Sequence, residues 1–180
     1  LWVLDKTKTA MGDRMLRSFI EQHLIDEEAI QDRLDAVDEL KKREMDREEI
    51  REYLNPIYDL ERLIGRISYQ SANPRDLIAF RNSLQMLPHI KTLLADFDEN
   101  LLKEINEQMD DLSDICTLIE AAIEEEPPIA IKEGGIIREG FDDTIDNLRH
   151  AKTEGKDWLA KLEEEDRERT GIKNLRIRYN

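Results

Sequence analysis

Apolar side chains recur every three or four residues along most of this chain, and this spacing restricts its fold more than any other feature. Because an α-helix has 3.6 residues per turn, side chains at this spacing share one helix face. The longest such stripe comprises Leu101, Ile105, Met109, Leu112, Ile115, Ile119 and Ile123. It predicts one helix over residues 98–124, about 40 Å long at 1.5 Å per residue, which Pro127 and Pro128 would end.

Capping residues predict the ends of several helices. Asp26 is suited to begin a helix that runs to Arg43, because an aspartate side chain accepts a hydrogen bond from the first turn. Asn73 followed by Pro74 predicts another helix start. Pro88 predicts a break or kink, because proline lacks a backbone N–H donor and clashes with the preceding turn.

Three further helices are predicted before the final helix of the chain. The first would follow Thr7 or Thr9. Asp46 and Glu49 have the spacing of a capping box and would begin a shorter helix. Another short helix is marked by the apolar residues Leu60, Leu63, Ile64 and Ile67.

The final helix is predicted from Phe141 to Thr170, with Gly171 in the left-handed conformation that commonly ends a helix. With so many helices, and with few Gly and Pro residues (7 and 5 of 180), an all-β fold is disfavoured. The predicted fold class is therefore all-α, an elongated multi-helix bundle with long helices.

Two short segments depart from the helical pattern. Around Gly134-Gly135, the apolar segments 129–131 and 136–137 predict a short extended pair or an irregular turn. At the end of the chain, apolar and basic residues alternate over 175–179, which predicts a strand. This strand would leave an unpaired edge, and the chain does not begin with Met, so we expect it to be a segment of a longer protein.

The charge of the chain excludes some functions and its cysteine content suggests a compartment. The net charge is −15 with 42 acidic and 27 basic residues, whereas a free-standing nucleic-acid binder needs a basic surface. The same charge disfavours an anionic membrane surface, and no apolar run approaches the length of a membrane helix. Cys116 is the single cysteine, so no internal disulfide forms, and a reducing compartment is suggested.

No catalytic or metal-binding motif is present in the sequence. A phosphate-binding loop is absent, because Gly155-Lys156 lacks the preceding glycine and the following hydroxyl residue. His23, His89 and His150 lack a glutamate three positions earlier, as a di-iron bundle requires. The acidic runs 124–126 and 163–166 are interpreted as solvated helix faces, and Trp2 and Trp158 as packing residues.

Two arginines are the candidate DNA-binding residues. Arg176 and Arg178 share one face of the predicted terminal strand, where they would contact DNA phosphates or simply keep the strand soluble. Two functions of different classes remain open at this point. One is a segment of a larger multidomain protein. The other is an independent acidic helical scaffold or adaptor that binds partner helices through its apolar stripes.

Several strings resemble the bacterial MutS family of DNA mismatch repair proteins, in the order in which that family has them. The first is Leu4-Asp5-Lys6-Thr7-Lys8-Thr9-Ala10-Met11-Gly12-Asp13-Arg14-Met15-Leu16-Arg17. The others are Arg33-Leu34-Asp35-Ala36-Val37, Asp59-Leu60-Glu61-Arg62-Leu63, Asn73-Pro74-Arg75-Asp76-Leu77, Gly134-Gly135-Ile136-Ile137, Glu168-Arg169-Thr170-Gly171-Ile172 and Leu175-Arg176-Ile177-Arg178-Tyr179-Asn180.

The resemblance implies a position in a longer protein. It implies a helical core or lever domain over 1–126, a turn and long lever helix over 127–171, and the first strand of a clamp over 172–180. Mismatched double-stranded DNA and ATP with Mg²⁺ would bind elsewhere in that protein, with no catalytic residue, cofactor or metal in this segment. The resemblance further implies a homodimer, a MutL-type repair partner and a cytoplasmic location.

Overall fold

Helices make up most of the structure, a computed structural model that describes residues 3–172 and Arg176. Within these residues it contains nine α-helices and no sheet, so the all-α prediction is confirmed. The helices are α1 Ala10–Glu21, α2 Glu27–Lys42, α3 Glu44–Leu54, α4 Leu60–Ser68, α5 Pro74–Leu84, α6 Leu87–Leu94, α7 Asn100–Gln108, α8 Ser113–Ala122 and α9 Asp143–Thr170.

Capping side chains begin several helices as the sequence predicts. Thr9 accepts a hydrogen bond from the Gly12 N–H at the start of α1, and Asp26 accepts one from Ala29 N–H at the start of α2. Asn73 and Asp76 form a reciprocal capping box at α5, with Pro74 in the first turn. Pro88 stands in the first turn of α6, so the predicted break near Pro88 is confirmed.

The single helix predicted over 98–124 is wrong. The structure has α7 and α8 instead, separated by residues 109–112. Leu112 adopts a left-handed backbone conformation, with φ 50° and ψ 38°, and stands immediately before α8. Apolar spacing alone does not detect this break, because each half of the stripe packs against different neighbours.

The capping box predicted at Asp46 and Glu49 is also wrong. Helix α3 begins two residues earlier, at Glu44, with Arg43 before it and no capping hydrogen bond from a side chain. The Asp46 carboxylate instead accepts a hydrogen bond from Arg43 Nε at 2.7 Å. Since only Arg43 separates α2 from α3, this ion pair stabilises the corner between them.

The segment after α8 is an irregular turn, one of the two alternatives predicted. Residues Ile131–Glu133 form a single 3-10 turn, and Gly134 and Gly135 follow with φ 73° and 68°, values that favour glycine. An isolated antiparallel bridge joins Ile137 to Ile123 at the end of α8. The extended pairing therefore involves the end of α8 rather than segment 129–131.

The chain divides into two compact units, residues 1–137 and 138–180. The first unit has two hydrophobic clusters. The first cluster has the buried residues Ala36, Ile57, Ile90, Leu94, Phe97 and Leu102. The second cluster has Leu63, Phe80, Leu84, Ile119, Ala122 and Ile123. Leu60 and Leu87 pack against both clusters.

The second unit contains α9, a single helix of 28 residues. Asp142 caps its start by accepting hydrogen bonds from the N–H groups of Thr144 and Ile145, and Gly171 ends it with φ 69°. The long final helix is thus confirmed. The terminal strand predicted over 172–180 lies almost wholly outside the described residues, and the three predicted segments remain a prediction.

Candidate functional site

Only one of the two arginines predicted to contact DNA lies among the described residues. Arg176 is exposed, and Arg178 lies outside the described residues. An exposed guanidinium is free to meet a phosphate or to stay solvated. DNA contact by these two residues therefore stays a prediction.

Two of the residues considered for chemistry, His89 and Cys116, contact other side chains or backbone in the first unit. The His89 ring stacks on Tyr53, with ring centroids 4.8 Å apart. Cys116 is half-buried, and this burial raises the pKa of its thiol, which disfavours the nucleophilic thiolate. From Val3 to Ile172 and at Arg176, no group of three or more His, Cys, Asp or Glu side chains is placed to hold a metal ion.

A buried arginine joins α5 to the turn that follows α8. The Arg81 side chain is only 5% exposed, and both of its terminal nitrogens donate to the Glu125 carboxylate, at 2.8 and 2.6 Å. This bidentate hydrogen bonding to Glu125 raises the pKa of the Arg81 guanidinium. From the sequence, Glu125 was interpreted as part of a solvated helix face. Its partner lies 44 residues away, so no local pattern signals the pair.

A second arginine joins α1 to the start of α4. The Arg14 guanidinium donates to both Asp59 carboxylate oxygens, at 2.7 and 2.8 Å, and also to Glu61. These hydrogen bonds from Arg14 lower the pKa of the Asp59 carboxyl to about 2. Asp59 also caps α4 by accepting a hydrogen bond from Arg62 N–H. One carboxylate thus fixes a helix start and ties it to a distant helix.

None of the residues of helix α9 is buried, which is also true of α1 and α3 in the first unit. At 1.5 Å per residue α9 is about 42 Å long. Ion pairs along its own surface support it, including Arg149 with Asp146 at 2.8 Å and Arg169 with Asp166 at 2.9 Å. Trp158, predicted as a packing residue, is 62% exposed in this unit. None of the nine helices described above is long and apolar enough to cross a membrane.

Comparison with known proteins identifies the family. The profile of the family described as MutS domain III matches residues 1–179. The chain belongs to the MutS domain III family. Similar proteins include the DNA mismatch repair protein MutS of Lachnoclostridium phytofermentans, 66% identical over all of this chain, and that of Ruminiclostridium cellulolyticum, 53% identical over the same extent. The protein of the same name from Staphylococcus carnosus is 47% identical over all 180 residues.

This MutS domain III chain spans about a fifth of the length of the curated relatives it matches. It covers 19% of the Lachnoclostridium phytofermentans protein and 21% of the Ruminiclostridium cellulolyticum protein. The resemblance noted in the sequence is thus confirmed as family membership. About four fifths of the residues of those longer proteins lie outside this domain.

Proposed function

We propose that this MutS domain III segment mechanically couples the binding of mismatched DNA to a distant ATPase domain, both in other parts of a longer protein. The relatives are named DNA mismatch repair proteins, which supports DNA mismatch repair as the process. The single observation that carries the proposal is α9, a continuous helix of 28 residues with a capped start and a glycine end. A stiff element of this length transmits a displacement between its ends.

Two ion pairs within the first unit join elements that are far apart in sequence. The Arg81–Glu125 and Arg14–Asp59 pairs tie together elements that are 44 and 45 residues apart in sequence. Because bidentate arginine–carboxylate pairs fix both distance and orientation, these elements move together. Such fixed pairs support the transmission of movement within the first unit, and the continuous α9 supports it in the second.

The partners of the longer protein follow from the same proposal. Mismatched double-stranded DNA binds through other domains, with Arg176 and Arg178 adding contacts to the phosphates. ATP and Mg²⁺ bind to residues outside this segment and supply the energy of nucleotide hydrolysis. A homodimer, a MutL-type repair partner and a location in the cytoplasm complete the proposal.

A second candidate function is an independent acidic helical scaffold that binds partner helices. The observation favouring it is the exposed apolar side of α2, where Leu34 and Val37 are 57% and 62% exposed. Helices of a partner bind such stripes through their own apolar faces. Family membership across residues 1–179 supports the coupling role instead.

Gly155 offers a matched pair of variants that tests the coupling. It lies near the middle of α9, and a Cβ added there has open space around it. In the full-length protein, Gly155→Pro interrupts the helix at a local cost of about 3 kcal/mol or more. Gly155→Ala stabilises the helix at the same position by up to about 1 kcal/mol. The measurement is the affinity for mismatched DNA with and without an ATP analogue.

We expect Gly155→Pro to bind mismatched DNA and nucleotide separately but to lose most of the effect of one on the other. Gly155→Ala should keep that effect. Full coupling in the Gly155→Pro protein would contradict the proposal. Coupling that is absent from the unaltered protein as well would favour the scaffold function.

A further inference from the structure

The break between α7 and α8 conflicts with the sequence on both sides of it. The apolar stripe continues through the break at helical spacing, and the sequence from Asn100 to Ala122 contains neither Gly nor Pro. Nevertheless, Leu112 adopts the left-handed conformation that leucine rarely occupies. That conformation costs about 1–2 kcal/mol for an L-residue with a Cβ. A continuous helix would remove this cost.

Specific hydrogen bonds stabilise the bent form at its exposed backbone groups. The Leu112 N–H donates to Asp110 Oδ1 at 3.0 Å, and the Ser113 N–H donates to Asp111 Oδ1 at 3.3 Å. Lys91 of α6 donates from Nζ to the Met109 carbonyl at 2.6 Å. These three contacts satisfy groups that intrahelical hydrogen bonds would otherwise satisfy. These few polar contacts thus stabilise the bent form and offset the strain at Leu112.

Each half of the stripe belongs to a different hydrophobic cluster. From the first half, Leu101 and Met109 pack against the first cluster, in which the neighbouring Leu102 of α7 is buried. Ile119 of α8 is buried in the second cluster, with Leu112 packed against it. The bend therefore lies where the chain crosses from one cluster to the other, and straightening it would turn the clusters relative to each other.

We propose that residues 109–112 form a hinge with two states, the bent form and a continuous helix over 100–122. The left-handed Leu112 and the unbroken stripe favour the continuous helix, whereas the contacts of Asp110, Asp111 and Lys91 favour the bent form. Local strain of this kind persists only where the surroundings compensate for it. The hinge does not depend on the coupling role proposed above.

Spin labels on exposed positions of the two helices distinguish the states in the full-length protein. Labels at Asn100 and Ala121 lie 21 residues apart, so a continuous helix places their Cα atoms about 32 Å apart, and the bent form is recognised by a distance that departs from this value. Distances between the labels are measured by double electron–electron resonance. Cys116 is replaced by serine beforehand, together with any reactive cysteine elsewhere in the longer protein.

Two variants shift the balance in opposite directions. Asp110→Ala with Asp111→Ala removes two backbone acceptors, so we expect the ratio of straight to bent form to rise about tenfold. Leu112→Asn suits the left-handed conformation, so the ratio should fall about fivefold. Asp114→Ala is the matched control, because it removes an exposed aspartate from the first turn of α8 without touching the break.

The outcomes separate a hinge from a fixed bend. A population near the continuous-helix distance that grows in the double aspartate variant, and shrinks in Leu112→Asn, supports the hinge. A single distance that is the same in all these proteins overturns it. The same change in Asp114→Ala as in the double variant would also overturn it, because the effect would then be one of net charge.

Discussion

Two arginine–carboxylate pairs in the first unit act between residues that are far apart in sequence. Arg81 is buried while its partner Glu125 is 63% exposed, so the pair is desolvated on one side only. Arg14 is more exposed and contacts two carboxylates, those of Asp59 and Glu61. Ion pairs on a protein surface generally contribute little to stability. An arginine that donates two hydrogen bonds to the same carboxylate contributes more.

The Asp59 carboxyl makes stability depend on pH in a defined range. Its pKa is lowered to about 2 in the folded chain, against about 3.9 in an unfolded one. A carboxyl group whose pKa is lowered by folding stabilises the fold at pH values above its pKa in the unfolded chain. This stabilisation is lost as the pH falls through the pKa of the folded chain. We expect the free energy of unfolding of the unaltered chain to exceed that of Asp59→Asn at neutral pH, and the difference to vanish toward about pH 2.

Urea denaturation at a series of pH values measures that difference. Asparagine is also a good helix cap, so Asp59→Asn removes the charge and retains the capping acceptor of α4. Asp32→Asn, at an exposed position on α2, is the control for the loss of one negative charge. A constant difference between the unaltered chain and Asp59→Asn over the whole acid range would show that the Arg14–Asp59 pair does not stabilise the fold.

At the scale of the helices, capping residues and glycine correctly predicted those helix ends that depend on hydrogen bonds or backbone conformation within a few residues. Asp26, Asn73-Pro74 and Gly171 were all correct, because a cap or a left-handed glycine acts within a few residues of itself. The helix over 98–124 was wrong because the break is stabilised by the hydrogen bond from Lys91 to the Met109 carbonyl and by those that Asp110 and Asp111 accept, which an apolar stripe cannot reveal. Asp46 was misread as a cap for a related reason, since Arg43 binds it.

The capping box at α5 gives a direct test of how much a local signal contributes. Asn73→Ala removes the acceptor for Asp76 N–H, which lies 3.0 Å away, and leaves that donor without its cap. We expect the free energy of unfolding to fall by about 1 kcal/mol. Urea denaturation of this chain measures it.

Asn73→Asp is the matched variant, because aspartate supplies an equivalent acceptor at the same position. It should retain most of the stability that Asn73→Ala loses. Equal losses in the two variants would mean that the side chain at position 73 contributes by packing rather than by capping.

For the whole molecule, the sequence predicted the class and the family better than the site. The periodic stripes and the MutS-like strings cover the chain from end to end, so fold class and family were both accessible. The candidate DNA-binding residues were inferred from a terminal strand that the described residues barely reach. The pairs of Arg81 and Arg14 were missed because their partners are brought close only by folding.

The net charge of −15 also acts on the whole molecule. Such a surface repels DNA at long range. In the coupling account this repulsion is harmless, because the segment transmits movement and other domains supply most of the DNA contacts. The proposed coupling therefore requires α9 to keep its length while its surroundings move.

The length of α9 in each ligand state of the full-length protein is the most direct measurement of that claim. Spin labels at the exposed Asn147 and Glu168 lie 21 residues apart, so an intact helix places their Cα atoms about 32 Å apart. Coupling through a rigid helix predicts one narrow distance without ligand, with mismatched DNA, and with an ATP analogue. A distance that shortens or broadens when either ligand binds would contradict it, because the helix would then bend or unfold rather than transmit movement.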